Sequence, residues 1–149
     1  MVIFILAKIG KVFARTNSIR VYAFANAFHI NIVDDNVDFL KITSLILKTQ
    51  GYHPQTASSI VDAAIHLEQF CPDIMLLDIH VGNDDGREFC QSLKSRSGKE
   101  QMKVIMISGY EENIGSIAWF GADDFLLKPV EMEELISKIK FHLLPVRIN

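Results

Sequence analysis

The sequence predicts a doubly wound α/β domain, a five-stranded parallel sheet with five helices on its two faces, and three observations carry that prediction. Five short β-rich or apolar runs alternate with five segments of helical periodicity between residues 29 and 143. Two of the runs, Ile74-Met75-Leu76-Leu77 and Val104-Ile105-Met106-Ile107, are continuously apolar, the signature of strands buried on both faces. Four of the five runs end on residues that packing does not explain: Asp34 and Asp35, Asp78, Ser108 and Lys128. In such folds the functional crevice lies at the carboxyl ends of the strands.

Each element follows from local chemistry. His29 to Asp35, HINIVDD, is a strand ending on two acids. In residues 36–50, Phe39, Leu40, Ile42, Leu45 and Ile46 recur at helical spacing until Gly51 stops them. Tyr52 to Thr56 is a weak strand, and Pro54, which lacks an N–H, suits it to the sheet edge. Ser58 or Ser59 caps a second helix whose apolar face is Ile60, Val61, Ala64, Ile65 and Leu67, and Pro72 bars its continuation.

The strand ending on Asp78 leads into a loop with two glycines, and Asp84 or Asp85 favours the next helix start. Phe89, Cys90 and Leu93 give that helix its inner face. After a polar turn come the strand ending on Ser108, a short helix from about Glu111 to Phe120, and a last strand, Asp124 to Leu127, before Lys128-Pro129. Val130, Leu135, Ile136, Ile139 and Leu143 form the face of the final helix.

Composition bounds the function. The 149 residues are 49% hydrophobic and 22% charged, enough for one ordinary domain. All 18 acidic residues lie at or after Asp34, whereas Lys8, Lys11, Arg15 and Arg20 precede it, so the head is basic and the body acidic. An acidic body argues against direct nucleic-acid binding. Cys71 and Cys90 are too few for a disulfide framework or a zinc site, which makes a reducing cytoplasm the expected location, and both are read as buried small apolar residues. Residues 1–28 are set apart as a poorly ordered or loosely docked extension, residues 29–144 as the domain, and 145–149 as a tail. The apolar run Met1 to Ala7 is too short to span a bilayer. Neither the Ala25-Asn26-Ala27 pattern of a signal peptide nor a basic surface anchor is preferred for the head.

The strand ends describe a chemistry. Converging carboxylates repel by about 4 kcal/mol per pair at ~4 Å and an effective dielectric near 20. Asp34, Asp35 and Asp78 therefore call for a hard cation, and oxygen-only ligands favour Mg²⁺. The backbone carbonyl of His80, rather than its ring, is the expected fourth protein ligand. Lys128 adds a fixed positive charge and Ser108 a hydroxyl donor. A cation, an ammonium and a hydroxyl around one acid suit a site that receives a phosphoryl group, with Asp78 as nucleophile.

On these residues the sequence resembles the receiver domains of two-component response regulators, particularly the single-domain, chemotaxis type. The resemblance covers residues 29 to 143, and the matching pieces within it are IVDDN at 32–36, LLDIHVGNDDG at 76–86, VIMISG at 104–109 and GADDFLLKP at 121–129. The resemblance implies strand order 2-1-3-4-5, a doubly wound order for which a member of this family is itself a standard example. It also implies Mg²⁺-dependent transfer to Asp78 from a histidine kinase or phosphotransfer protein. By the same resemblance Asp34 and Asp35 are the metal-binding pair, Ser108 senses the phosphoryl group, Lys128 is the site lysine and Phe125 is the switch aromatic. The readout would be the face at 111–143, acting on a downstream protein target or output domain, or through a homodimer.

One departure is Gly82, where the family usually has proline; it loosens the loop without removing a chemical group. The expected protein is a stand-alone phosphoacceptor switch and not a conventional enzyme. The alternatives are a degenerate receiver that docks partners without phosphorylation, and an aspartyl-phosphate hydrolase, whose DxDxT pattern is missing here.

Overall fold

A computed structural model describes residues 28–96, 102–109 and 120–143. In chain order the elements are β1 (His29–Val33), α1 (Val37–Thr49), β2 (His53–Ala57), α2 (Ile60–Gln69), β3 (Ile74–Asp78), β4 (His80–Val81), β5 (Asp84–Asp85), α3 (Gly86–Lys94), β6 (Lys103–Ser108), β7 (Asp124–Leu127) and α4 (Met132–Leu143).

The main sheet has order β2-β1-β3-β6-β7, and every pairing within it is parallel. With the two-residue β4–β5 ribbon set aside, this is the expected 2-1-3-4-5. All five residues of β3 are buried, because it is the central strand with helices over both faces. Pro54 lies in β2, at one edge, as its missing N–H requires.

Strand alternation divides the core in two. Ile30, Ile32, Ile74, Leu76, Ile105, Ile107 and Leu126 face α1 and α4, where Leu40, Leu47, Leu135 and Ile139 meet them. Val33, Met75, Leu77, Val104 and Met106 face α2 and α3, meeting Ala63, Leu67, Cys90 and Leu93. Four helices, two on each face, are thus described. The expected helix at 111–120 lies, Phe120 excepted, outside the described residues, as do the head before Phe28 and the tail after Leu143.

The helix starts are fixed by side chains that accept otherwise unpaired amides. Asn36 accepts from the N–H groups of Asp38 and Phe39, Ser59 from Asp62, and Asp85 from Arg87. Gly51, at φ +84°, turns the chain out of α1.

Three sequence expectations are corrected. Ile42 and Leu45 of α1 are 57% and 64% exposed, and Thr43 takes an inward position beside Leu40 and Leu47 instead. Val61 and Ile65 of α2 are likewise exposed, and Ala63 and Leu67 are the buried residues. Cys71, read as buried, is exposed because it follows the end of α2 on the way to β3; Cys90 is buried as expected.

Candidate functional site

The parallel sheet brings the scattered strand ends to one rim. Asp78 is the last residue of β3, Asp34 follows β1, Ser108 ends β6 and Lys128 follows β7. Backbone bonds hold these ends together: the N–H of Ile79 donates to Ile107 at 3.0 Å and that of Lys128 donates to Ser108 at 2.7 Å. Residues separated by up to 94 positions therefore meet in side-chain contact.

Asp34, Asp35 and Asp78 each present a carboxylate oxygen within 4.8 Å of the others. Asp34 and Asp78 are buried, whereas Asp35 is exposed at the mouth. The Nζ of Lys128 donates to Asp78 Oδ2 at 2.6 Å and to Asp34 Oδ2 at 2.8 Å. Its ammonium also lies 5.5 Å from the centroid of the Phe39 ring, on the first turn of α1. The Asn36 N–H donates to Asp34 Oδ1 at 2.8 Å, and the His80 N–H makes a long bond of 3.4 Å to Asp78 Oδ1.

The titration of this group follows from its burial. Removal from water pushes the Asp78 carboxyl above its ordinary value; the bond from Lys128 opposes this and the charge of Asp34 reinforces it. Burial alone would lower Lys128, but its bonds to Asp34 and Asp78 outweigh that and hold the ammonium above its usual range. One lysine charge against three carboxylates leaves the cluster net negative. The donor set is oxygen throughout and partly open through Asp35, which fits a hard divalent cation such as Mg²⁺.

Two glycines missed as functional residues shape the site. Gly86 opens α3 with its N–H donating to Ile79 O at 2.7 Å, and a Cβ there would overlap the carbonyl oxygen of Asp78. No larger residue fits without displacing the acceptor strand. Gly82 adopts φ +64°, in the turn between β4 and β5, and its N–H donates to Asp35 Oδ2 at 3.1 Å. Besides any effect on the loop, this glycine supplies a donor that a proline lacks, in a conformation a proline ring forbids. Two glycines close to the acceptor were the only sequence signal.

Ser108 is fully buried at the end of β6. Phe125 is half-buried and pairs in register with Met106, so its ring lies on the α2–α3 side of the sheet. Ser108 follows Met106 by two positions and shares that side. The two are diagonal neighbours across the parallel β6–β7 pair. His80 itself is exposed, with its backbone paired to Asp85.

Comparison with known proteins gives the family and the fold. The family described as Response regulator receiver domain matches residues 30–140. The chain belongs to that family. Among solved structures, a CheY-like receiver domain from Methanospirillum hungatei JF-1 is 33% identical over 78% of this chain and 93% of its own, with a TM-score of 0.70. A putative response regulator from Chloroflexus aurantiacus J-10-fl is 25% identical over 79% of this chain and 98% of its own, with a TM-score of 0.75. The chemotaxis response regulator CheY4 of Vibrio cholerae, at 22% identity and a TM-score of 0.74 over 79% of this chain and 100% of its own, shares the fold. This receiver thus carries its acidic cluster and lysine at the strand ends of the family fold. Among the described residues no helix is long and apolar enough to cross a membrane.

Proposed function

We propose that this receiver accepts a phosphoryl group on Asp78 from the phosphohistidine of a histidine kinase or phosphotransfer protein, and so switches a partner-binding face in two-component signalling. The observation that carries the proposal is the ammonium of Lys128, 2.6 Å from Asp78 and 2.8 Å from Asp34, beside three convergent carboxylates.

Asp34, Asp35 and Asp78, with the backbone carbonyl of His80, would hold Mg²⁺. When bound, Mg²⁺ offsets the carboxylate charge and the charge on the incoming phosphoryl oxygens. A carboxylate oxygen of Asp78 attacks phosphorus as the phosphorus–nitrogen bond to the donor imidazole breaks, and the electron pair stays with that nitrogen. Lys128 is already hydrogen-bonded to Asp78 and so is placed to donate to a phosphoryl oxygen. Ser108 offers its hydroxyl to another. Its movement would let the Phe125 ring turn toward the space beside it and alter the face formed by β7 and α4.

The two free cysteines support a reducing, cytoplasmic setting. Partner binding would use the face within residues 111–143, for a downstream protein, an output domain or a second copy. A complete acid and lysine set gives no support to a docking module that ignores phosphorylation.

The test is incubation with Mg²⁺ and radiolabelled acetyl phosphate. Wild type is expected to take up label that Asp78→Asn does not, and equal labelling of the two would sink the proposal.

A further inference from the structure

The switch aromatic is tied to α4 by contacts that the phosphoryl chemistry does not use. Asp124 precedes Phe125 on β7, and alternation places their side chains on opposite faces of the sheet. Asp124 Oδ1 accepts the backbone N–H of Phe125 at 2.8 Å and Lys138 Nζ at 2.7 Å, while Oδ2 lies 3.0 Å from His142 Nε2. The same Lys138 ammonium lies 5.5 Å from the centroid of the Phe125 ring.

One ammonium reaches side chains on both faces because β7 is the edge strand, so the lysine stem can pass around the open side of the sheet. The Asp124 carboxylate fixes where that ammonium sits. His142 and Lys138 lie one helical turn apart on α4, so both oxygens of Asp124 are engaged by one face of one helix.

We infer that Lys138, tethered by Asp124, is a positioning residue that pins the Phe125 ring at the sheet edge, away from Ser108, and thereby sets the resting bias of the switch. The inference rests on the switching function proposed above. Inward movement of the ring toward Ser108 breaks its contact with the ammonium, while the Asp124 tether prevents the ammonium from following. A cation over an aromatic face at a partly exposed site biases such an equilibrium about two- to five-fold. If the inward state is the minor one at rest, releasing the pin tightens binding of any phosphoryl mimic by the same factor.

The decisive variants are Lys138→Met, which keeps the stem without the charge, Lys138→Gln as a second neutral replacement, and Lys138→Arg, which keeps the charge. Beryllofluoride with Mg²⁺ is the probe. Ring position is read by fluorine NMR after 4-fluorophenylalanine replaces the ten phenylalanines, with the Phe125 line assigned from Phe125→Leu. Both neutral variants are expected to move the unliganded Phe125 line toward its beryllofluoride-saturated position and to lower the beryllofluoride midpoint two- to five-fold. Lys138→Arg is expected to restore both toward wild type. Neutral variants that match wild type in line position and midpoint overturn the pin, and so does an arginine variant that behaves like the neutral ones. Wild type that binds no beryllofluoride and takes no acetyl-phosphate label overturns the switching function itself, a result distinct from failure of the pin alone.

Discussion

Replacing Asp78 with asparagine removes the proposed acceptor, and the charges around it imply that the fold becomes more stable. Asp78 and Asp34, both buried, bring oxygens within 4.8 Å of each other. Two unit charges at that separation repel by about 3–4 kcal/mol at an effective dielectric near 20. Against this, the asparagine loses a charge-assisted bond from Lys128, a class of contact worth about 1.5–3 kcal/mol. Lys128 keeps its second partner, Asp34, at 2.8 Å. Burial of the Asp78 carboxylate, the largest cause of its raised titration, adds to that repulsion and together they outweigh the Lys128 bond, so the balance favours the variant by about 1 kcal/mol, or about 3–5 °C in Tm for a chain of this size.

Urea unfolding of both proteins at pH 7 without divalent cations measures the difference. The folded Asp78 carboxyl titrates above its ordinary value of 3.8, so its ionisation destabilises the native state at neutral pH. Wild type recovers that deficit as pH falls through the raised value, and the gap to Asp78→Asn narrows in acid. Mg²⁺ should stabilise wild type more than the variant, because it stabilises by binding the native carboxylates. An Asp78→Asn protein that unfolds at lower urea than wild type at pH 7 would refute the account of a charge-strained site.

Three further outcomes follow from other parts of the fold. Gly82→Pro removes the N–H bonded to Asp35 and cannot adopt φ +64°, so Mg²⁺ affinity measured by titration should fall about five-fold, with a smaller loss in Gly82→Ala, which keeps the N–H. Burial alone would raise the Asp123 carboxyl, but bonds from Lys94, the Val104 N–H and Lys103 hold it below its ordinary 3.8. Its stabilisation is therefore present above that value and lost as pH falls below it. Asp123→Asn should cost about 1–3 kcal/mol at neutral pH and flatten the acid limb of a stability profile; an unchanged limb contradicts the assignment. Burial pushes the Cys90 thiol up to about 11 while Cys71 is exposed, so a maleimide at neutral pH should modify Cys71 alone in the folded chain and both cysteines in urea. Rapid native-state modification of Cys90, mapped by peptide mass, is the contrary result.

The sheet and the charged cluster were legible because they depend on properties the sequence states directly. Apolar runs such as Ile74 to Leu77 mark central strands, and a carboxylate or lysine at such a run's end has few structural explanations. Helix faces were less legible. Periodicity counted Ile42 and Leu45 as core, but α1 turns Leu40, Thr43 and Leu47 inward, and a buried threonine carries no hydrophobic signal. Gly82 and Gly86 were invisible as site residues because their contributions are a backbone N–H and the absence of a Cβ. The Asp124–Lys138 pair was missed for another reason: the contact depends on β7 being the edge strand, a property of the assembled sheet.

The most direct test of the central claim is chemical trapping of the acceptor. The full chain, phosphorylated by acetyl phosphate in Mg²⁺, is treated with borohydride, which reduces an aspartyl phosphate to homoserine, and the modified residue is located by peptide mass. The account predicts homoserine at position 78 and its loss when Mg²⁺ is chelated. Modification at Asp34 or Asp35 instead, or a phosphorylated protein with Asp78 intact, would contradict it.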